Sequence, residues 1–130
     1  MASVPPDLLY TREHEWAKVE GDRVRVGITD YAQEQLGDVV FVELPKVGAT
    51  VAQHKGFGVV ESVKAVSDLF APVSGTVAEV NAELSGHPEV VNQDPYGRGW
   101  MLVVAPSGPA ERANLLTAAQ YEAFLAAGGH

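Results

Sequence analysis

The chain has 130 residues, 46% of them hydrophobic and 20% charged, with a formal net charge of −8 and no cysteine. That is enough for one domain with a real core and too little for two, and so acidic a balance argues against a nucleic-acid partner, which would want a basic face. The missing cysteines exclude disulfides, thiolate zinc sites and a cysteine nucleophile, and no apolar run approaches the length of a membrane span.

The N-terminal stretch MASVPPDLLYTREHEW has neither a basic start nor an apolar run, and it is too acidic for a transit peptide, so nothing in it argues for export. Trp16 to Val19 reads as a strand and Glu20-Gly21-Asp22 as its turn. RVRVGI then alternates, with Val24, Val26 and Ile28 on one face. A short helix over 30–36 follows, with Asp30 and Gln33 at capping-box spacing and Gly37 placed to close it in the left-handed conformation. DVVFVELP is a strand stopped by Pro45, with Val40, Val42 and Leu44 on one face. KVGATVAQHKG gives a turn, a short strand and a second turn. From Gly58 to Gly75 the pattern is strand-turn-strand with Lys64 at the tip, and GTVAEVN is a further strand. AELSGHPEVVNQDPYGRG reads as an ordered loop that buries Val90, Val91 and Tyr96, with Asn92, Asp94 and Pro95 as turn chemistry placing Trp100.

WMLVVAP is the last strand, stopped by Pro106. In the tail, Thr117 and Gln120 stand at capping-box spacing and Leu116 and Tyr121 at hydrophobic-staple spacing, with Gly128 as a stop. The spacing predicts a helix near 118–127 that packs Tyr121, Leu125 and Phe124 onto the sheet. Many short strands punctuated by Gly and Pro point to a mainly β chain: an antiparallel sandwich or flattened barrel with small helices attached, residues 1–130 forming one domain.

The hairpin breaks local rules. A turn centred on Lys64 and Ala65 pairs Val63 with Val66, Ser62 with Ser67, Glu61 with Asp68, Val60 with Leu69 and Val59 with Phe70, although a wider loop would shift these pairs. In that register Val63, Glu61 and Val59 share a face with Val66, Asp68 and Phe70. The tip lacks the Asn-Gly or Asp-Gly of a tight primed turn, and two carboxylates stand opposite one another, a mildly destabilising arrangement. Such breaches often mark functional sites. From the residues alone, a solvated hairpin end with an ordinary surface lysine is the simpler reading.

ESVKAVSDLFAPVSG resembles the attachment segment of lipoyl-carrier domains, in which a lysine at a hairpin tip is amidated by lipoic acid. Over nearly its whole length the chain resembles the H-protein family of the glycine cleavage system. The matching stretches are HEW (His14 to Trp16), VGITDYAQEQLGDVVFVELPKVG, GFGVVESVKAVSDLFAPVSGTVAEVN and PEVVNQDPYGRGWM. The resemblance implies a flattened barrel-sandwich hybrid of two antiparallel sheets and a non-catalytic shuttle, with a lipoyl group on Lys64. It implies as partners a pyridoxal-phosphate decarboxylase (the P protein), an aminomethyltransferase (the T protein) and a flavin dihydrolipoamide dehydrogenase (the L protein), besides the enzymes that attach or synthesise the lipoyl group. The thiol chemistry of a cysteine-free chain would then belong to its cofactor.

Glu61 and Asp68 match the family's acidic flanks to the lysine and are expected to help recognition of the hairpin, against ordinary solubility of a hairpin end. The family folds its loaded arm back on its own surface. Glu15 and Asp68 are the expected carboxylates of that aminomethyl-lipoyl cleft, with apolar contact from Ala32 and Leu36. The competing readings are a surface carboxylate beside a buried Trp16 and two plain core residues. His14, His54, His87 and His130 lack metal-ligand spacing, so no metal site is expected.

A biotinyl carboxyl-carrier domain would carry methionines where Val63 and Ala65 stand. A lipoyl domain of a 2-oxoacid dehydrogenase would belong to a longer chain, and a hydrolase would need a constellation of base, nucleophile and orienter that is not recognisable here. An H-like protein relaying lipoyl groups to other complexes would keep the same lysine. The chain is expected to act as a monomer in the bacterial cytoplasm, or in the mitochondrial matrix if it is a processed organellar protein.

Overall fold

Strict alternation in Arg23–Ile28 turns Val24, Val26 and Ile28 inward, and all three are buried in the computed structural model, which describes residues 2–128. This strand, β3, pairs with β2 (Glu15–Glu20) across the Gly21 turn. A two-residue strand with too short a pattern to read from sequence, β1 (Leu9–Tyr10), lies on the far side of β2. With β9 (Leu102–Pro106), β8 (Gly75–Val80) and β5 (Thr50–Val51) these form a six-stranded antiparallel sheet ordered β1-β2-β3-β9-β8-β5. The second sheet is three strands wide, β4 (Val39–Glu43), β6 (Gly56–Ser62) and β7 (Val66–Phe70), in the order β4-β6-β7. The expected architecture of two antiparallel sheets with small helices is the one observed.

Residues of both sheets meet in one cluster built on Ile28, Val42, Val60, Leu69 and Met101. Val24, Val26, Val77, Leu102 and Val104 form a second cluster. Tyr10, Trp16 and Tyr121 form a third, with the two tyrosine rings stacked at 4.7 Å. Burial of each such side chain contributes about 1.5–3 kcal/mol. The third cluster anchors α4 (Ala118–Ala126), whose capping box forms as predicted: the Thr117 hydroxyl accepts from the Gln120 N–H, and the Gln120 side chain accepts from the Thr117 N–H. Leu116 and Tyr121 pack in that same cluster, where a hydrophobic staple would put them.

Four local expectations are corrected. The short helix α1 (Asp30–Leu36) is capped by Thr29, whose hydroxyl accepts from the Ala32 N–H, while the Asp30 carboxylate is engaged by Gln33 and by the Ser3 N–H. Its terminal Gly37 has the anticipated positive φ of 78°, but ψ is −156°, outside the left-handed helical region. In β4 an irregularity between Val39 and Phe41 breaks the alternation, so Val39 and Val42 are buried and Val40 is exposed. The stretch after β8 is ordered as expected but holds two short helices, α2 (Glu83–Gly86) and α3 (Val90–Gln93), which bury Leu84, Val90 and Val91. A 3-10 turn (Ala110–Asn114) precedes α4.

Trp16 is fully buried and lies against Gly27, its partner across the β2–β3 ladder; a Cβ on Gly27 would stand 2.7 Å from the indole ring. Gly27→Ala should therefore force Trp16 to move and cost about 1–3 kcal/mol. A urea or thermal melt checks this, and an unchanged midpoint would mean that the indole has room to shift.

Candidate functional site

The hairpin of β6 and β7 turns at Val63–Lys64, one residue earlier than a turn centred on Lys64 and Ala65. Glu61 pairs with Val66, Val60 with Ser67 and Val59 with Asp68. Ser62 explains the shift. Its N–H donates to the Ala65 carbonyl (2.8 Å), and its hydroxyl accepts from the N–H groups of Ala65 (3.1 Å) and Lys64 (3.3 Å). Val63 and Lys64 both keep negative φ, so a side-chain hydroxyl closes the turn that a primed backbone geometry would close elsewhere. The expected opposition of Glu61 and Asp68 is thereby overturned: each carboxylate faces a valine. Because partners shift by two residues, Glu61, Val59, Val66 and Asp68 still share the outward face. Phe70 leaves that register at an irregularity between Gly56 and Gly58.

The tip is also held from outside the hairpin, since the Val63 N–H donates to the Asp38 carbonyl at 3.0 Å. Lys64 is exposed and makes no ion pair among the described residues. Its stem crosses Gly37, with Cε 3.5 Å from the place a Cβ on that glycine would take.

Beside the tip lies a cleft of about 340 Å³. Ile28, Ala32, Leu36, Val60 and Leu69 give it an apolar wall, and Glu13, Glu15 and Asp68 make its lining acidic. Ala65 and Val66, next to Lys64, belong to the same lining. Four residues singled out from the sequence, Glu15, Ala32, Leu36 and Asp68, thus come together. Leu36 is a core residue as well, Ala32 is half-buried, and Glu61 lies outside the cleft lining, in a cross-strand row with Phe41 and Val66. Sequence reasoning missed His14 and Tyr31, whose rings stand 4.7 Å apart in the cleft wall. The only signal for His14 was its place beside Glu15 in HEW.

Glu15 is not a surface carboxylate. Alternation along β2 sets it on the same side as Ala17, and both are 1% exposed. The left-handed backbone of His14 (φ 71°) completes a turn in which the His14 N–H donates to the Thr11 carbonyl and the Thr11 N–H to the Glu15 carbonyl. The Glu15 carboxyl then accepts from the Thr11 hydroxyl (2.6 Å) and from the Phe70 N–H (3.2 Å). Burial outweighs these two donors and pushes the Glu15 carboxyl up from 4.5 to about 8. A cation entering the cleft would favour the ionised form and draw that proton off. Nearby, the buried Tyr121 hydroxyl lies 2.8 Å from both His14 Nδ1 and Thr29 Oγ1 and is held above the ordinary tyrosine range by burial. No group of three or more metal-ligating side chains occurs among the described residues.

The glycine cleavage H-protein family model matches residues 8–128. The chain belongs to that family. It is 61% identical to the glycine cleavage system H protein of Geobacillus kaustophilus over 95% of this chain and 97% of that one. It is equally identical to the H protein of Symbiobacterium thermophilum, over 98% of this chain and the whole of the other. The crystal structure of the Mycobacterium marinum H protein superposes with a TM-score of 0.86 at 46% identity, over 95% of this chain and 99% of that one. As a family member the chain is a carrier subunit of the glycine cleavage system, and the family carries lipoyl groups.

The buried Glu15 predicts a pH dependence with a definite sign. Its folded pKa of about 8 lies above its ordinary 4.5, so between these values the folded chain binds more protons than the unfolded chain. The stability it contributes is full below the lower value and is lost as pH rises through the higher, at up to about 1.4 kcal/mol per pH unit. In urea melts from pH 5 to 9, Glu15→Gln should gain on the wild type as pH rises and level off above about pH 8. A constant difference across that range would show that the carboxyl is not raised.

Proposed function

We propose that Lys64 is the residue amidated by lipoic acid and that the chain is the shuttle between the P, T and L proteins. The observation that carries this reading is an exposed lysine at the apex of a fixed turn, beside a cleft with an apolar wall and an acidic lining. A lipoyl group fits these residues: it is a long apolar chain, and the cleft beside its anchor is mostly apolar. When bound it would supply a disulfide that can be reduced as the P protein hands over an aminomethyl group and, once the T protein has received that group, reoxidised by the L protein.

The chain's own part is to anchor, shelter and present. Lys64 offers an amine on a flexible stem, without an ion-pair partner among the described residues that amide formation would have to break. Ala32 and Leu36 give apolar contact along the cleft. Asp68 and Glu15 hold a cationic amine there by charge-assisted hydrogen bonds, Glu15 after giving up its proton. Glu61, on the outward face beside Val66, serves with Asp68 in recognition of the hairpin by the lipoyl-attaching enzymes. The chain works as one carrier domain and a monomer, in the cytoplasm if its bacterial relatives are a guide.

Lys64→Arg keeps the charge but cannot form the amide. Incubated with a lipoate ligase, lipoic acid and ATP, the wild type should gain one lipoyl increment by intact mass, mapped to Lys64, and the variant none. An increment on the variant, or on another residue of the wild type, would refute the assignment. Asp68→Asn removes one charge from the cleft. After lipoylation and loading by the P protein with glycine, it should lose its one-carbon unit to water about tenfold faster, the effect of one lost charge-assisted hydrogen bond. Equal release of formaldehyde from variant and wild type would take Asp68 out of the cleft's work.

A further inference from the structure

The hairpin tip hangs from a peptide group that a distant side chain controls. Asn92 sits on α3, far from Lys64 in sequence and half-buried. Its Oδ1 accepts from the Val39 N–H at 2.8 Å, and its Nδ2 donates to the Gly37 carbonyl at 2.8 Å and to Gln33 Oε1 at 3.0 Å. The two backbone partners have fixed polarity, so the amide can stand only one way round. Both donor hydrogens are used, and the oxygen is engaged.

The Val39 N–H and the Asp38 C=O belong to one planar peptide group. Asn92 holds the first, and the second accepts from the Val63 N–H at 3.0 Å. A hydrogen-bonded chain thus runs from the Asn92 side chain through the Asp38–Val39 peptide to the residue before Lys64. Donation at the N–H end polarises the carbonyl at the other, which strengthens its hold on Val63. The contact to Gly37 fixes the neighbouring peptide as well, and the Lys64 stem lies over that glycine. Fixing these two peptide groups leaves the connector between α1 and β4 little freedom to tilt. We propose that Asn92 is a positioning residue for Lys64: it orients the Asp38–Val39 peptide that pins the hairpin tip, and so presents the lysine to the enzymes that modify it. This rests on the reading of Lys64 as the attachment point.

Asn92→Leu tests it in the full chain, since leucine keeps the size but cannot accept from the Val39 N–H, nor donate to the Gly37 carbonyl and Gln33. Two measurements are made, at a temperature where melting curves show variant and wild type fully folded. In the first, lipoate ligase with lipoic acid and ATP should modify Lys64 of the variant with kcat/KM about tenfold lower, the effect of one lost hydrogen bond. In the second, hydrogen exchange should speed up at the Val63 N–H by about the same factor while the Val60 N–H, in the middle of the same sheet, keeps its wild-type rate. Either quantity at its wild-type value overturns the proposal, and so does acceleration of Val60 together with Val63, which would mean general loosening. If Asn92→Leu does not fold, Asn92→Ala carries the same two measurements. The wild type alone gives a further check, because an unprotected Val63 N–H would end the proposal. Absence of lipoylation at Lys64 in the wild type would instead refute the attachment reading, and Val63 exchange would still decide whether Asn92 pins the tip.

Discussion

The buried carboxyl of Glu15 ties the two sheets together at the cleft. It starts β2 in the six-stranded sheet and accepts from the Phe70 N–H at the end of β7 in the three-stranded one. Its neighbour Trp16 is committed to the third core cluster and Ala17 to the second. Both faces of the strand are therefore covered at its start, and Glu15 reaches open space only through the cleft that it lines. An ionised carboxylate there costs several kcal/mol after relaxation. Two hydrogen bonds offset part of that cost, and retention of the proton relieves the rest. Glu15 is thus a structural link and a titrating group at once, and a substitution that removes the second role leaves the first altered.

A fixed hairpin turn stands beside an open cleft. β7 is the edge strand of its sheet, with the cleft along it, and β6 is held on both sides by β4 and β7. A tip built only from the two strands would fray as hairpin ends do. Here Ser62 closes the turn from within and the Asp38 carbonyl holds it from outside. The Lys64 side chain extends from this held turn into solvent, its stem over Gly37. A shuttle that must present one arm to several active sites benefits from this division, because an ordered mount lowers the entropy lost at each docking.

Much of this was legible in the sequence, and the limits are physical. Alternation found β3, short apolar runs bounded by turn residues or proline found β2, β8 and β9, and hydroxyl-to-amide spacing found the α4 cap, because in each case the signal and its partner lie within a few residues. The Asp30 cap was misassigned because Thr29 and Asp30 are both good capping residues and only the backbone angle at Thr29 (φ −76°, ψ 165°) separates them. The β4 face was misread only at its start, where the irregularity between Val39 and Phe41 turns Val39 inward in place of Val40, while Val42 and Leu44 keep the expected side. The hairpin register depended on a serine hydroxyl replacing a backbone acceptor, which composition does not reveal. Glu15, Ala32, Leu36 and Asp68 were brought together through the family resemblance. The burial of Glu15 was not anticipated, since the strand read from sequence began one residue later, at Trp16. Asn92 read as turn chemistry because its partners at Gly37 and Val39 lie more than fifty residues away.

The charge state of Glu15 also sets how firmly the cleft can hold a cationic guest. With a pKa of about 8, only about one carboxyl in ten is ionised at pH 7. A guest that needs the ionised form therefore binds about tenfold more weakly than to a cleft charged in advance. Asp68 is exposed and sets the opposite condition, a charge present in water that attracts a cation before it is enclosed. For an amine, attraction at the rim and reluctance at the base would combine recognition with release. A carrier would need both, because a cleft with two buried, freely ionised carboxylates would bind a cationic group too firmly to pass it on.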